Sequence, residues 1–227
     1  AQPTVRDWKR GRRSPRVLGL IHGKAPLAPR ADGLYVLNQG DDSIAAFDVD
    51  PVDGSLVSIG TEWMSELGAS CMAIDPRGRH LCVCYAISNT LQIYSINHTD
   101  RTLSPVGPPH PLPDTPAKIA LDPLGKHVFI SYPMANMLES YTVNSNTGEL
   151  RFTATIGTLA QPEAIAIDPT GQFLYLSAEG ASRLLGFRLN NGQFTAPLGN
   201  LMTPEGTTGA LLSFSRHADT LYAVLNG

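Results

Sequence analysis

The sequence predicts an all-β fold built from short antiparallel sheets, and three observations predict it. Apolar and polar residues alternate through one short run after another, the period of a strand with one face buried. The tetrapeptide Asp-Pro-x-Gly recurs at Asp75, Asp122 and Asp168, in steps of 47 and 46 residues. A second marker keeps the 47-residue step: Leu56, Leu103 and Leu150 each follow a turn rich in Asp, Asn, Thr or Gly, and Phe194 continues the series after a shorter turn. Two independent markers at one period identify an internal repeat. Four short strands in about 46 residues is the size of one β-propeller blade.

The cleanest copy runs from Ala164 to Asn190. Alternating residues lead into Asp168-Pro169-Thr170-Gly171, lead out again through Phe173 to Ser177, and resume from Leu184 to Leu189. Asp, Pro and Gly at the first, second and fourth places are the composition of a type I turn. Proline presets φ there, and the Asp side chain bonds to backbone ahead of it. The segment therefore reads as a hairpin.

In chain order, the first repeat is imperfect: its innermost strand, near 24–28, is weakened by prolines. Clearer strands are predicted over 34–39, 43–49 and 55–62. The second repeat predicts 70–75, 80–86, 90–96 and 103–106; the third predicts 117–122, 127–132, 137–143 and 150–156. The fourth predicts 163–168, 173–177, 183–189 and 194–198, and the fifth 210–214 and 220–225. This amounts to four to five blades, expected to belong to a longer ring, with a basic arm over 1–25 and blades over 26–227.

Charge is uneven. Residues 1–30 hold eight of the 17 Lys and Arg against one acid, so the remainder carries nine basic and nineteen acidic residues. The arm lacks interleaved aromatics and any nucleic-acid module, which argues against nucleic-acid binding. Its longest apolar run, Val17–Ile21, is too short for a secretory core. No run reaches the length of a membrane span. The cellular compartment stays open.

If the second hairpin turns at Arg77-Gly78, Cys71 faces Cys84, with Cys82 on the face of Cys84. A cross-strand disulfide there needs suitable geometry and an oxidising compartment. The reading favoured by the odd count is three small buried hydrophobes. His80 and His127 follow the turns of their blades and read as solvated. No histidine pair has metal-ligand spacing, so neither metal nor other cofactor is predicted.

Leu34-Tyr35-Val36-Leu37-Asn38 followed by Ser43-Ile44, and Leu174-Tyr175-Leu176-Ser177 after the fourth turn, resemble the Tyr-Val-Thr-Asn type of propeller repeat. The turns ending Asp53-Gly54-Ser55-Leu56 and Thr147-Gly148-Glu149-Leu150 resemble its lactonase branch. That branch includes 6-phosphogluconolactonase-type and fungal carboxymuconate-cyclising enzymes. The resemblance covers 26–227 and implies a seven-bladed ring. It also implies metal-independent chemistry on a ring ester at one channel mouth, performed by Arg, His and Glu. The family's inner strand often begins Gly-Pro-Arg-His, and its next strand ends Asn-Glu. Here the matching segment reads Gln161-Pro162-Glu163-Ala164, and Ser177-Ala178-Glu179-Gly180 supplies the Glu. In the third repeat Thr115-Pro116-Ala117-Lys118 places a Lys at the His position.

Propeller topology brings inner-strand starts and second-strand ends to one mouth. The predicted ring there is Asp41, Asp42, Ser70, Cys71, Lys118, Glu163, Glu179 and Asn226. Glu179 and Glu163 are the candidate acid/base or water-orienting groups, and Lys118 the oxyanion stabiliser. Two functions follow as expectations. One is an enzyme that hydrolyses or forms a small sugar-acid or muconate-type lactone. The alternative is a non-catalytic propeller that binds a protein, peptide or glycan on its rim.

Overall fold

A computed structural model describes residues 16–20, 32–50, 52–63, 66–144, 146–158, 161–178, 183–202, 208–214 and 220–226. The first sheet holds β1 (Arg16–Leu20), β2 (Asp32–Asn38), β3 (Ser43–Val49) and β4 (Leu56–Trp63) in that order. The second holds β5 (Ala69–Ile74), β6 (His80–Tyr85), β7 (Thr90–Ile96) and β8 (Leu103–Pro105), with the short β9 (His110–Pro111) also on β7. The third runs β10 (Lys118–Leu121), β11 (His127–Tyr132), β12 (Met137–Val143) and β13 (Leu150–Gly157). The fourth runs β14 (Pro162–Ile167), β15 (Phe173–Ala178), β16 (Arg183–Asn190) and β17 (Gln193–Met202). The last pairs β18 (Thr208–Phe214) with β19 (Leu221–Asn226). Every pairing is antiparallel and, apart from β9 on β7, joins chain neighbours, and the first strands of successive sheets touch in chain order. That is a propeller with its inner strands around an axis.

Each core lies between two sheets. Leu81, Val83 and Tyr85 face the first sheet, packing with Tyr35, Leu37 and Ile44. Cys82 and Cys84, on the other face of β6, pack with Val128, Ile130 and Tyr132 of the third. Phe129 and Leu138 meet Leu174, Leu176 and Phe187, and Ala164, Ala166 and Leu184 meet Leu212. A period of two on a sheet buried on both sides produces this, because alternate residues serve opposite neighbours.

The predicted turns form as read. Gly78, Gly125 and Gly171 each donate to the carbonyl of the Asp three residues back, at 2.8, 2.9 and 2.9 Å. Each sits at positive φ (67°, 66° and 73°), as the end of this turn requires. The Asp carboxylates accept from backbone beyond the turn. Asp122 Oδ1 takes the N–H groups of Lys126 and His127 at 2.7 and 3.2 Å, and Asp168 Oδ1 those of Gln172 and Phe173 at 2.8 and 2.7 Å. Asp75 does the same for Arg79 and His80. All three carboxylate residues are buried. Successive turns also nest: a Cβ on Gly125 would lie 3.1 Å from Pro76 Cδ, and one on Gly171 3.3 Å from Pro123 Cδ.

A second device recurs farther out, where the turn after the third strand of the second, third and fourth sheets rests on the preceding sheet. Arg101, after β7, donates from Nε to Asp48 at 3.2 Å and accepts the Tyr35 hydroxyl at 2.8 Å on its carbonyl. Gly148, after β12, lies against Val106 and Ile93. Gly192, after β16, packs on the His127 ring, and its carbonyl accepts the Ser140 hydroxyl at 2.6 Å.

Two expectations are corrected. The innermost place in the first sheet is taken by β1, inside the segment read as an arm, with Arg16 opposite Leu37; residues 24–28 lie outside the described ones. His80 and His127 are not solvated but buried. Asp122 Oδ2 lies 2.9 Å from His127 Nδ1. Burial acts to raise the Asp122 pKa, yet bonds from His127 and Lys126 outweigh it and hold the carboxyl below its ordinary value. His80 is lowered, chiefly by burial and further by Arg79, with Asp75 opposing.

Candidate functional site

The starts of the inner strands share one rim with the turns between second and third strands, opposite the Asp-Pro-x-Gly turns. Hydrogen bonds across the sheets fix this. Gln39 Nε2 donates to Ser70 O at 2.7 Å, and Ala69 N–H donates to Asp42 Oδ1 at 2.8 Å, so the β2–β3 turn grips the start of β5. The Ser70 hydroxyl lies 3.2 Å from Cys84 O and 3.1 Å from Pro116 O, sharing its proton across the joint between the second and third sheets.

The sequence-predicted residues divide accordingly. Asp41 holds its own turn, accepting from Ser43 N–H at 3.2 Å and Ser43 Oγ at 2.7 Å. Asp42 and Ser70 join sheets, and Cys71 is buried in the core between the second and third. Lys118 and Glu163 begin adjacent inner strands, β10 and β14, and both are half-buried. Glu163 sits at a register shift between Pro162 and Ala164, and such a bulge re-aims a side chain. Ala164, at the position of the family's His, is buried against Leu184 and Leu212. Asn226 ends β19 opposite Thr208. Glu179, next after β15, lies outside the described residues.

Three features escaped the sequence reading. Lys118 is the cross-strand partner of Ser131, whose hydroxyl is fully buried without a hydrogen-bond partner among the described residues. Glu139 is buried between the second and third sheets, accepting from the hydroxyls of Tyr132 (3.1 Å) and Tyr141 (2.5 Å). Burial pushes both tyrosine pKa values upward, reinforced at Tyr132 by Tyr141 and at Tyr141 by its bond to Glu139. His110 meets the Tyr141 ring edge-on at 5.2 Å, its pKa lowered by burial with Glu139 opposing. His110 also lines a groove of about 390 Å³ with Leu91, Ile93, Val106 and Glu149. Comparing repeats would have flagged Glu139, which lies 47 residues after Gln92 on an inward position. Among the described residues no group of three His, Cys, Asp or Glu could hold a metal ion, and no helix is long and apolar enough to cross a membrane.

This architecture is that of a lactonase-type β-propeller. A family model, "Lactonase, 7-bladed beta-propeller", matches residues 22–115 and 108–208, and the chain belongs to that family. Among solved structures, the periplasmic gluconolactonase PpgL of Pseudomonas aeruginosa superposes with a TM-score of 0.70 at 18% identity, over 88% of this chain and 64% of that one. A Bacteroides uniformis protein with a provisional 6-phosphogluconolactonase name gives 0.69 at 16%, over 86% and 60%. The β-propeller domain of Myceliophteria thermophila Cps50 (Swd1) gives 0.63 at 13%, over 86% and 62%. Such likenesses share the fold alone, and the chain spans under two thirds of each of these relatives' length. No curated protein matches the sequence.

Proposed function

We propose that this chain carries part of a lactone-processing site at the rim where its inner strands begin. The observation that carries the reading is the family match across residues 22–208. Lys118 and Glu163, at the heads of neighbouring inner strands, supply the chemistry such a site needs. A small sugar-acid or muconate-type lactone is electrophilic at its ring carbonyl. Glu179, with Glu163, orients the attacking water and takes its proton, while the Lys118 ammonium meets the negative charge that develops on the carbonyl oxygen. The ring C–O bond then breaks, and its oxygen leaves protonated as the hydroxyl of the acid. Run in reverse, the same groups close a lactone.

One observation favours the second reading, a propeller that binds a protein, peptide or glycan without catalysis. Ala164 fills the family's His position as a core residue, and Glu163 stands where the Arg would be. Release of acid from small lactones by the full-length protein, with and without Glu179→Gln, separates the two. The enzyme reading expects the variant to lose at least ~100-fold in rate, the scale of general base catalysis. Equal rates in both proteins remove Glu179 from any catalytic role; no lactone turnover by the full-length protein leaves the binding reading.

A further inference from the structure

The same cross-strand position recurs at the mouth end of three consecutive sheets, and only one copy holds two thiols. Cys71 pairs with Cys84 across β5 and β6, Lys118 with Ser131 across β10 and β11, and Ala164 with Ser177 across β14 and β15. The repeat therefore packs this position without cysteine. Directly opposed residues of an antiparallel pair have Cα atoms about 4.5 or 5.5 Å apart, both inside the range a disulfide spans. Both cysteines face the third sheet, within one apolar cluster. Cys82 shares that face but is opposite Ala73. It stands two residues from Cys84 on one strand, about 6.6 Å away with a parallel Cβ direction, at the edge of what a disulfide tolerates.

We propose that Cys71 and Cys84 are a cross-strand disulfide site, closed while the chain folds in the presence of a small-molecule disulfide such as oxidised glutathione. The thiolate of one cysteine attacks the oxidant, breaking its S–S bond, forming a mixed disulfide and releasing one glutathione thiol. The second protein thiolate attacks the first cysteine's sulfur, forming the Cys71–Cys84 bond and releasing the second thiol. The protein loses two protons and two electrons, and both glutathiones carry them away.

Burial sets when this happens. Cys84 is inaccessible, Cys71 is 3% exposed, and all three cysteines are free thiols in the folded structure. Burial raises the Cys84 thiol pKa, further raised by its bond with Cys71, and lifts Cys82 to about 12. The packed thiols are thus poor nucleophiles, and closure belongs to the interval before the second and third sheets dock. Once made, the bond pins the β5–β6 hairpin beside Ser70, whose hydroxyl reaches the third sheet.

The test refolds the full reduced chain with oxidised glutathione, then unfolds and alkylates it with N-ethylmaleimide. The expected result is one alkylated cysteine in place of three, and a tryptic map in which the segments on either side of Arg77 and Arg79 are joined. Cys82→Ser refolded in the same way should leave none to alkylate. The oxidised protein should melt about 5–10 °C higher than the reduced one. Three alkylatable cysteines, or a link through Cys82, overturn the proposal. If refolding is inefficient, the native protein is held in the same oxidant with sub-denaturing urea, and the same two results decide.

Discussion

The two rims of this propeller are built on opposite rules. On one, three consecutive sheets carry the same residues doing the same work: an Asp that accepts two backbone N–H groups, a Pro, and a left-handed Gly, with Gly125 and Gly171 nested on the preceding turns. On the other, corresponding positions hold Cys71 with Cys84, Lys118 with Ser131, and Ala164 with Ser177. Repetition is kept where these three sheets solve the same closing problem. It is abandoned where side chains from different sheets meet at a shared opening. In a repeat fold, the departures from the repeat are therefore where function is sought.

The comparison breaks most readily on the repeated rim. Asp122→Ala strips the partner from two backbone N–H groups and from His127, and should cost on the order of 3 kcal/mol in thermal or urea unfolding. Gly125→Ala forces a side chain into the left-handed region and within 3.1 Å of Pro76. It should cost about 1–2 kcal/mol and confirm that the turns nest.

Acid should act through the same rim. His80 has a folded pKa below the ordinary histidine value of 6.5, so the unfolded chain binds the proton more readily. Its contribution is complete above that value and declines as pH falls through it towards the folded pKa. Asp122, also lowered in the fold, contributes above the ordinary aspartate value of 3.8, and that contribution is lost as pH falls through its folded pKa. Melting temperature followed from pH 7 down to pH 3 should fall in both windows, and His80→Gln should flatten the upper one.

The smallest effect sharpens the comparison on the other rim. Ser131→Ala removes a buried hydroxyl that has no partner among the described residues, and should stabilise by about 1 kcal/mol. A loss of stability would mean that this hydroxyl is satisfied.

Much of the fold was legible because its causes are local. Asp-Pro-x-Gly specifies its own turn, and the alternation into and out of it specifies which residues face each neighbouring sheet. The Cys71–Cys84 register follows from the same turn. What was not legible depends on contacts between sheets. The burial of His80 and His127 depends on packing between strands and sheets that turn composition does not report; Gly192, from the fourth sheet, closes over His127. Asp42 and Ser70 read as members of the channel-mouth ring; their bonds to Ala69 and Pro116, which tie sheets together, come from contacts the sequence does not report. Glu139 had no part in the sequence reading, and its burial follows because β12 is covered on both faces. β1 was missed because the repeat's step points to 24–28, not to Arg16–Leu20.

The most direct test pairs activity with stability in the full-length protein, comparing Lys118→Met with Asp122→Ala. The account predicts that Lys118→Met loses most lactone turnover while its melting temperature falls by less than that of Asp122→Ala. Asp122→Ala should lower the melting temperature yet keep its turnover per folded molecule. Turnover unchanged by Lys118→Met, or lost only in step with stability in both variants, would contradict the division of labour between the rims.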